Sequence, residues 1–457
     1  MAERLLSVGL DVGTTTTQVI LSQISIENRA SGFAVPKMEI TGRQVLYRGK
    51  VHFTPLIRQE LVDAPAIRAI LEEELAAAGF ENRKPDSGAV IITGETSRKE
   101  NAAAVLQELS DYAGDFVVAT AGPDLESVLA AKGAGAVAWS EQTGKKVLHM
   151  DIGGGTANLA LIREGQITET GCLNVGGRLL KYDREGRIYY ISPVLQPHTR
   201  LQLGDVLQEE EARSLADLLC RVLLWAAGLG AEEETFRGFI TADTSLPRDV
   251  EGAVLSFSGG VADCIENRQD WTVYGDLGPL LGQCIRESAL CAGEYRLGAE
   301  TIRATVIGAG CHSAALSGST VFSRDVKLPV KNLPVTVARE EELEDPGSLR
   351  RRMLLPERWG VLALKGFNAP SYEKVLSLAD SIAVLVEDRP CYVALEEDMA
   401  KALGHALSLR IPPGTPCLCL DGLQFPQDSY LDVGRFAGPA LPVVIKTLVL
   451  ENRPEHG

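Results

Sequence analysis

Two glycine turns, each led by an aspartate, constrain this chain more than anything else in it. The first reads Gly9-Leu10-Asp11-Val12-Gly13-Thr14-Thr15-Thr16-Thr17, the second Met150-Asp151-Ile152-Gly153-Gly154-Gly155-Thr156-Ala157-Asn158. Apolar runs flank both: Leu5–Val8 and Gln18–Leu21 around the first, Lys146–His149 and Leu159–Ile162 around the second. Each therefore reads as a β-hairpin whose tight turn lacks bulky side chains. Such a turn lets backbone N–H groups approach an anion closely. The threonine hydroxyls add donors. An aspartate at the strand end can hold a hydrated Mg²⁺ or orient a water. One hairpin of this kind is ordinarily only a turn. Two, in the same strand–turn–strand setting, point to phosphate binding.

A chain of 457 residues is long enough for two or three domains with their own cores. Its formal net charge of −16 argues against general nucleic-acid binding, which needs a basic surface, and against adhesion to anionic lipid. No apolar run approaches the length of a membrane span. The start, Met1-Ala2-Glu3-Arg4, is expected to run straight into the first strand, and no signal peptide is expected. Nine cysteines lie scattered without paired metal-type spacing, and Cys417-Leu418-Cys419 reads as strand core. A reduced cytoplasm is the expected compartment.

Residues 1–145 read as a first α/β domain. A strand over Val45–Phe53 precedes a helix capped by Asp63 with Pro65 in its first turn, and Ile67, Ile70, Leu71 and Leu75 recur at helical spacing. Ala89–Thr93 and Phe116–Ala119 read as strands, and Asn101–Leu109 as a helix. Residues 146–330 open on the second hairpin and read as a second domain of the same kind, a repeat of topology rather than of sequence, with a long amphipathic helix over Glu209–Gly228. Residues 338–352 are charged and contain Pro and Gly, and read as a solvated linker or boundary, with Arg350–Arg352 on a solvated face in preference to a partner contact. Beyond it, Val361–Leu364, Ser381–Val386, Cys417–Leu420 and Val443–Leu450 read as strands of a smaller C-terminal α/β unit, 331–457 including the linker.

Three further segments complete the candidate site. Val254–Ser258 is a strand ending in Gly259-Gly260 before a helix, where a flat adenosine ring can lie against backbone. Thr305-Val306-Ile307 reads as a strand running into the small-residue stretch Gly308–Ala315, expected to make an interdomain hinge contact, with His312 a packed residue. Glu126 opens a second small-residue helix ahead of Asp151, from which a carboxylate can face a cleft and help hold Mg²⁺ or position a water. An ordinary first-turn glutamate is the equal alternative.

Hairpin, small-residue helix, hairpin, Gly-Gly turn and small-residue helix, in that order, resemble the plan of the actin-like ATPases: an α/β fold of two topologically repeated ribonuclease H-like domains around a nucleotide cleft. A narrower resemblance is to the ethanolamine ammonia-lyase reactivating factors. It is carried by Leu5–Ile20, Ile91-Ile92-Thr93-Gly94-Glu95, Ala121–Ser127 and Cys172-Leu173-Asn174-Val175-Gly176-Gly177-Arg178-Leu179-Leu180, and extends through Asp432-Val433-Gly434 and Val443–Val449.

That resemblance implies an ATP- and Mg²⁺-dependent chaperone that frees damaged cobalamin from inactivated ethanolamine ammonia-lyase, so that intact adenosylcobalamin can enter. It further implies residue roles. Asp11 and Asp151 hold Mg²⁺ through water, with Asp151 near the attacking water. Gly13, Thr14, Thr15 and the Gly153, Gly154, Gly155, Thr156 turn cradle the β- and γ-phosphates. Gly259 and Gly260 line the adenosine. Asn158 stands where many superfamily members carry an acid, Gln18 where some sugar kinases carry a base, and neither hairpin holds a lysine. Slow hydrolysis suited to a switch is expected from those departures. No Asp-x-His-x-x-Gly signature surrounds any of the six histidines, so the chain is not expected to hold cobalamin itself. Association with a bacterial microcompartment is an expectation of the family, without an obvious encapsulation peptide, and a homodimer stays open. The competing readings are a small-molecule kinase, for which no aspartate has a kinase-like surround, a filament-forming relative, and a non-hydrolysing scaffold.

Overall fold

The computed structural model describes residues 3–13, 16–28, 38–58, 61–80, 85–92, 101, 105, 109, 123–241, 244–312, 315–317, 320–354, 359–425, 429–434, 436 and 441–447. Two sheets share one strand plan. In the first, Glu3–Val12, Thr16–Asn28 and Met38–Phe53 form an antiparallel meander, and Ser87–Ile92 runs parallel beside Glu3–Val12. In the second, Val147–Ile152, Ala157–Arg163 and Gln166–Leu173 form the meander. Val254–Ser258 runs parallel beside Val147–Ile152, and Tyr295–Leu297 beyond it. Strands buried on both faces read as continuous apolar runs, and the six residues of Val147–Ile152 are all buried.

Between the sheets lie two small-residue helices. Pro123–Gly133 and Ala304–His312 pack on one another, the first also on the second sheet and the second on the first sheet. Leu129 and Ala309 share a cluster with Ala89 and Ile91, while Ile20 meets Val306 and Ile307. The crossing is backbone against backbone: a Cβ added at Gly308 would overlap the Leu129 carbonyl, and one at Gly133 the Ala304 carbonyl. This is the close contact that the small residues lead one to expect. Thr305-Val306-Ile307, however, is helix rather than strand. An apolar run covered on both sides carries no period, and a short one does not tell strand from helix.

The helix Ala64–Ala77 begins as its sequence predicts, with the Asp63 carboxylate accepting from the Ala66 N–H at 3.0 Å. Glu209–Ala226 buries Leu215, Leu218, Leu219, Val222 and Leu223 against the second sheet's core. The readings of Asn101–Leu109 and Phe116–Ala119 fall largely or wholly outside the described residues.

A third sheet of eight strands takes in Ala315–Leu316 and Phe322–Arg324 as well as strands from 330 to 447. Two expectations fail here. Ser381–Val386 is the last part of the helix Tyr372–Val386, again a short apolar run without a readable period. Residues 338–352 are no linker: a 3₁₀ turn at Glu340–Glu344 and a helix at Pro346–Leu354 bury Leu343, Leu349 and Met353. Two of the three arginines at 350–352 are employed, and Arg351 is exposed. Arg352 bonds Glu342 and donates to the Val337 carbonyl at 2.8 Å. Arg350 caps the helix Tyr372–Val386 through the Val384 and Leu385 carbonyls at 2.6 and 3.0 Å.

Candidate functional site

The two hairpins close identically. The Gly13 N–H donates to the Thr16 carbonyl at 2.9 Å, and the Gly153 N–H to the Thr156 carbonyl at 2.9 Å. Asp11 pairs across the strands with Gln18, and Asp151 with Asn158. The first turn is braced by Thr54, whose hydroxyl donates to the Gly13 carbonyl at 2.8 Å and bonds the Thr17 hydroxyl at 3.1 Å. Each aspartate thus faces a buried amide side chain, and the oxygens Gln18 Oε1 and Asn158 Oδ1 are both buried without a hydrogen-bond partner. Thr14 and Thr15 lie outside the described residues.

Asp151 is almost wholly buried and is held on both oxygens. Ser258 donates to Oδ1, and Thr305 to Oδ2 at 3.2 Å. Ser258 also bonds His149 Nε2 at 2.9 Å, and His149 Nδ1 bonds Ser256 at 3.0 Å. Burial pushes the Asp151 carboxyl above its ordinary range, against the pull of the two hydroxyls. Burial likewise pushes the His149 imidazole down to about 3, which keeps the ring neutral. Sequence reasoning missed this chain of contacts, although its signal was present. His149 and Asp151 stand two apart on one strand, and Ser256 and Ser258 are their register partners on the parallel neighbour, so all four share a face.

One short segment touches both hairpins. The Gln18 amide donates to the Ile302 carbonyl at 3.1 Å, and Thr305, three residues on, reaches Asp151. Across from it, Gly259 adopts a positive φ of 89°, where a Cβ would overlap the Ile152 carbonyl, so only glycine fits at the end of that strand. Gly260 faces open space.

These elements enclose a cavity of about 250 Å³. Asp11, Gly13, Glu126, Asp151, Gly153, Gly154, Gly155, Thr156, Gly259 and Gly260 all line it, together with Thr16, Gln18, Asp263 and the unanticipated Arg178, Asp276 and Thr305. The sequence-selected residues that are described therefore meet at one place. Among the described lining residues, five are carboxylates (Asp11, Glu126, Asp151, Asp263, Asp276) and one is a cation, Arg178. Among the described residues, no three His, Cys, Asp or Glu side chains converge to ligate a metal by themselves. The donor set fits a hydrated Mg²⁺ shared with phosphate oxygens: hard oxygens, two of them on orphaned amides, and room for water. A carboxylate-rich wall with one cation, already paired to Asp276, favours a divalent cation beside any polyphosphate that enters.

Two sheets of one strand plan, each offering an Asp–Gly turn to a common cleft, with small-residue helices crossing between them, define an actin-like ATPase fold. The chain belongs to the family described as Ethanolamine utilisation protein EutA, whose sequence profile matches residues 3–451. It is 38% identical to the ethanolamine ammonia-lyase reactivase EutA of Salmonella typhimurium over 97% of this chain and 98% of that one. The reactivase of the same name from Escherichia coli is 37% identical over the same shares. Among solved structures, the ethanolamine utilisation protein EutJ of Carboxydothermus hydrogenoformans aligns at 14% identity with a TM-score of 0.34, over 67% of this chain and 89% of that one.

Proposed function

We propose that this chain is a reactivating factor for ethanolamine ammonia-lyase, driven by ATP and Mg²⁺ bound in the cleft. The observation that carries the reading is the pair of identically closed Asp–Gly turns meeting on one carboxylate-rich cavity. Family membership, over nearly the whole chain, supports ethanolamine ammonia-lyase as the partner; in this reading it is the inactivated lyase, whose damaged cobalamin has to leave before intact adenosylcobalamin can bind.

In this reading Asp11 and Asp151 hold the water shell of Mg²⁺, and Asp151, fixed by Ser258 and Thr305, orients the attacking water. Glu126, elsewhere on the cavity wall, helps hold that water shell or positions a water. Gly13, Thr14, Thr15 and the 153–156 turn cradle the outer phosphates, with the Gly13 and Gly153 amides already committed to closing their turns. Gly260 offers the open backbone surface for the adenosine, and Gly259 fixes its approach. The bound Mg²⁺ supplies charge neutralisation of the phosphates. The segment from Ile302 to Thr305 touches both hairpins, so nucleotide bound between them biases the angle of the two halves. The lyase must be bound differently in the two nucleotide states for hydrolysis to do work on it. A reduced cytoplasm, association with a bacterial microcompartment and a homodimer belong to the same proposal. Buried thiols are in keeping with the compartment: the eight cysteines whose side chains are described are all buried and none is in a disulfide.

The test is ATP- and Mg²⁺-dependent recovery of lyase inactivated with a cyanocobalamin-type analogue, in the presence of free adenosylcobalamin, with Asp11→Ala and Asp151→Ala in parallel. Recovery with the wild type and loss in both variants is expected. Nucleotide binding without recovery would overturn the reactivase reading for this partner.

A further inference from the structure

Resting on the nucleotide reading above, we infer that Arg178 is the side chain that neutralises the outer phosphates of the nucleotide, and that Asp276 positions it. The chain Gly177-Arg178 lies across the second glycine turn: the Gly177 and Arg178 N–H groups donate to the Gly153 and Gly154 carbonyls at 3.1 and 2.6 Å. The aliphatic stem of Arg178 then runs over Gly154. A Cβ at Gly154 would stand 3.2 Å from Arg178 Cδ and 3.4 Å from Cβ, so the glycine makes room for the arginine as well as for an anion.

The guanidinium is aimed by one bond. Its Nε donates to Asp276 Oδ2 at 3.1 Å, while Asp276 Oδ1 accepts from the Gly278 N–H at 2.8 Å. Asp276 is buried and cannot swing away. The two terminal nitrogens carry four more N–H donors in a rigid plane, the geometry that grips phosphate oxygens in pairs. Arg178 is part-exposed and lines the cavity, where it is the one cation among the described lining residues. It sits beside the turn proposed to cradle the phosphates, and neither hairpin supplies a lysine for that work. Asp276 is a positioning residue: it holds the arginine's orientation and touches no phosphate.

The experiment is calorimetric titration of the full chain with ATP, ADP and AMP, each with Mg²⁺, for wild type, Arg178→Gln and Arg178→Lys, with thermal unfolding of each variant alongside. In Arg178→Gln the ATP affinity is expected to fall about 10- to 100-fold, the range of a lost charge-assisted contact, with AMP held within about twofold. Arg178→Lys restores charge without the fork and should fall between the two. Should Arg178→Gln not fold, Arg178→Lys carries the test: several-fold weaker ATP binding supports the inference, and binding equal to wild type overturns it. Unchanged ATP binding in a folded Arg178→Gln overturns it and leaves the nucleotide reading intact. Equal losses for ATP and AMP also overturn it, because they mark a purely structural role. Wild type that binds no nucleotide overturns both readings.

Discussion

The Thr305 hydroxyl donates to the Asp151 carboxylate at 3.2 Å from the first turn of a helix that lies on the opposite sheet. A side chain of one half thus reads the acid of the other. Three residues earlier the Ile302 carbonyl takes the Gln18 amide. The two hairpins are coupled through a single helical start, and any ligand that shifts one hairpin must move the contact with the other.

That coupling depends on how closely the Pro123–Gly133 and Ala304–His312 helices cross. Gly308→Ala places a methyl on the Leu129 carbonyl. It should cost about 1–3 kcal/mol, the usual range for overpacking, and chemical denaturation of the purified chain measures it. A variant as stable as wild type would mean the crossing is looser than described.

Ser258→Ala removes one of the two side-chain donors to Asp151 and a partner of His149 together. Leaving these buried groups under-satisfied should cost about 1–3 kcal/mol in denaturant unfolding. The same variant should weaken Mg²⁺-dependent ATP binding, because Asp151 is no longer held. Ser256→Ala, which touches only the far side of His149, should affect stability and spare nucleotide binding.

Metal removal should abolish nucleotide binding. With five carboxylates on the cavity wall and Arg178 as their one described counter-charge, chelation with EDTA leaves the polyphosphate without a divalent partner. MgATP should raise the unfolding midpoint in proportion to its occupancy, and ATP with EDTA should leave it where it is without ligand. Equal protection with and without Mg²⁺ would remove the metal from the account.

Glu74 gives the chain an acid-sensitive joint. On the helix Ala64–Ala77 it accepts from the Tyr47 hydroxyl at 2.7 Å, from His52 Nε2 at 2.6 Å and from the Lys50 N–H at 3.3 Å, tying the helix to the edge strand Met38–Phe53. Burial pushes its carboxyl up, but the bonds from His52, Tyr47 and Lys50 outweigh it and the net shift is down. A carboxyl lowered in the folded state contributes stability that is present above its unfolded pKa, about 4.3, and lost as pH falls through the folded value. Glu74→Gln should therefore cost about 1–3 kcal/mol near neutrality, and the gap to wild type should close on acidification below about pH 4. Paired denaturation curves at the two pH values check it.

The cleft was legible because its parts are local. A hairpin turn and its aspartate sit within nine residues and the strands directly flank them, so Asp11 and Asp151 declare themselves without knowledge of the fold. Arg178 and Asp276 did not, since their contact joins segments far apart in the chain and neither lies in a motif with a fixed turn. His149, Ser256 and Ser258 were half-legible: alternation put each pair on one strand face, but only the parallel register shows that the faces coincide. The helical stretches misread as strands, Thr305–Ile307 and Ser381–Val386, are short apolar runs packed among other elements, where no polar face marks a period. Arg350–Arg352 misled for another reason. Charge density suggested solvent, while two of the three guanidiniums are employed on carbonyls within the fold.

The crossing at Gly133 and Gly308 bears on how quickly the two halves can turn. At these two glycines the contact is backbone on backbone, so turning about it freezes no side-chain torsion of theirs. Among the described residues, the two glycines supply no polar bond across the crossing that would hold one angle over its neighbours. Whatever decides between an open and a closed molecule has then to come from what is gripped at the rim of the cleft.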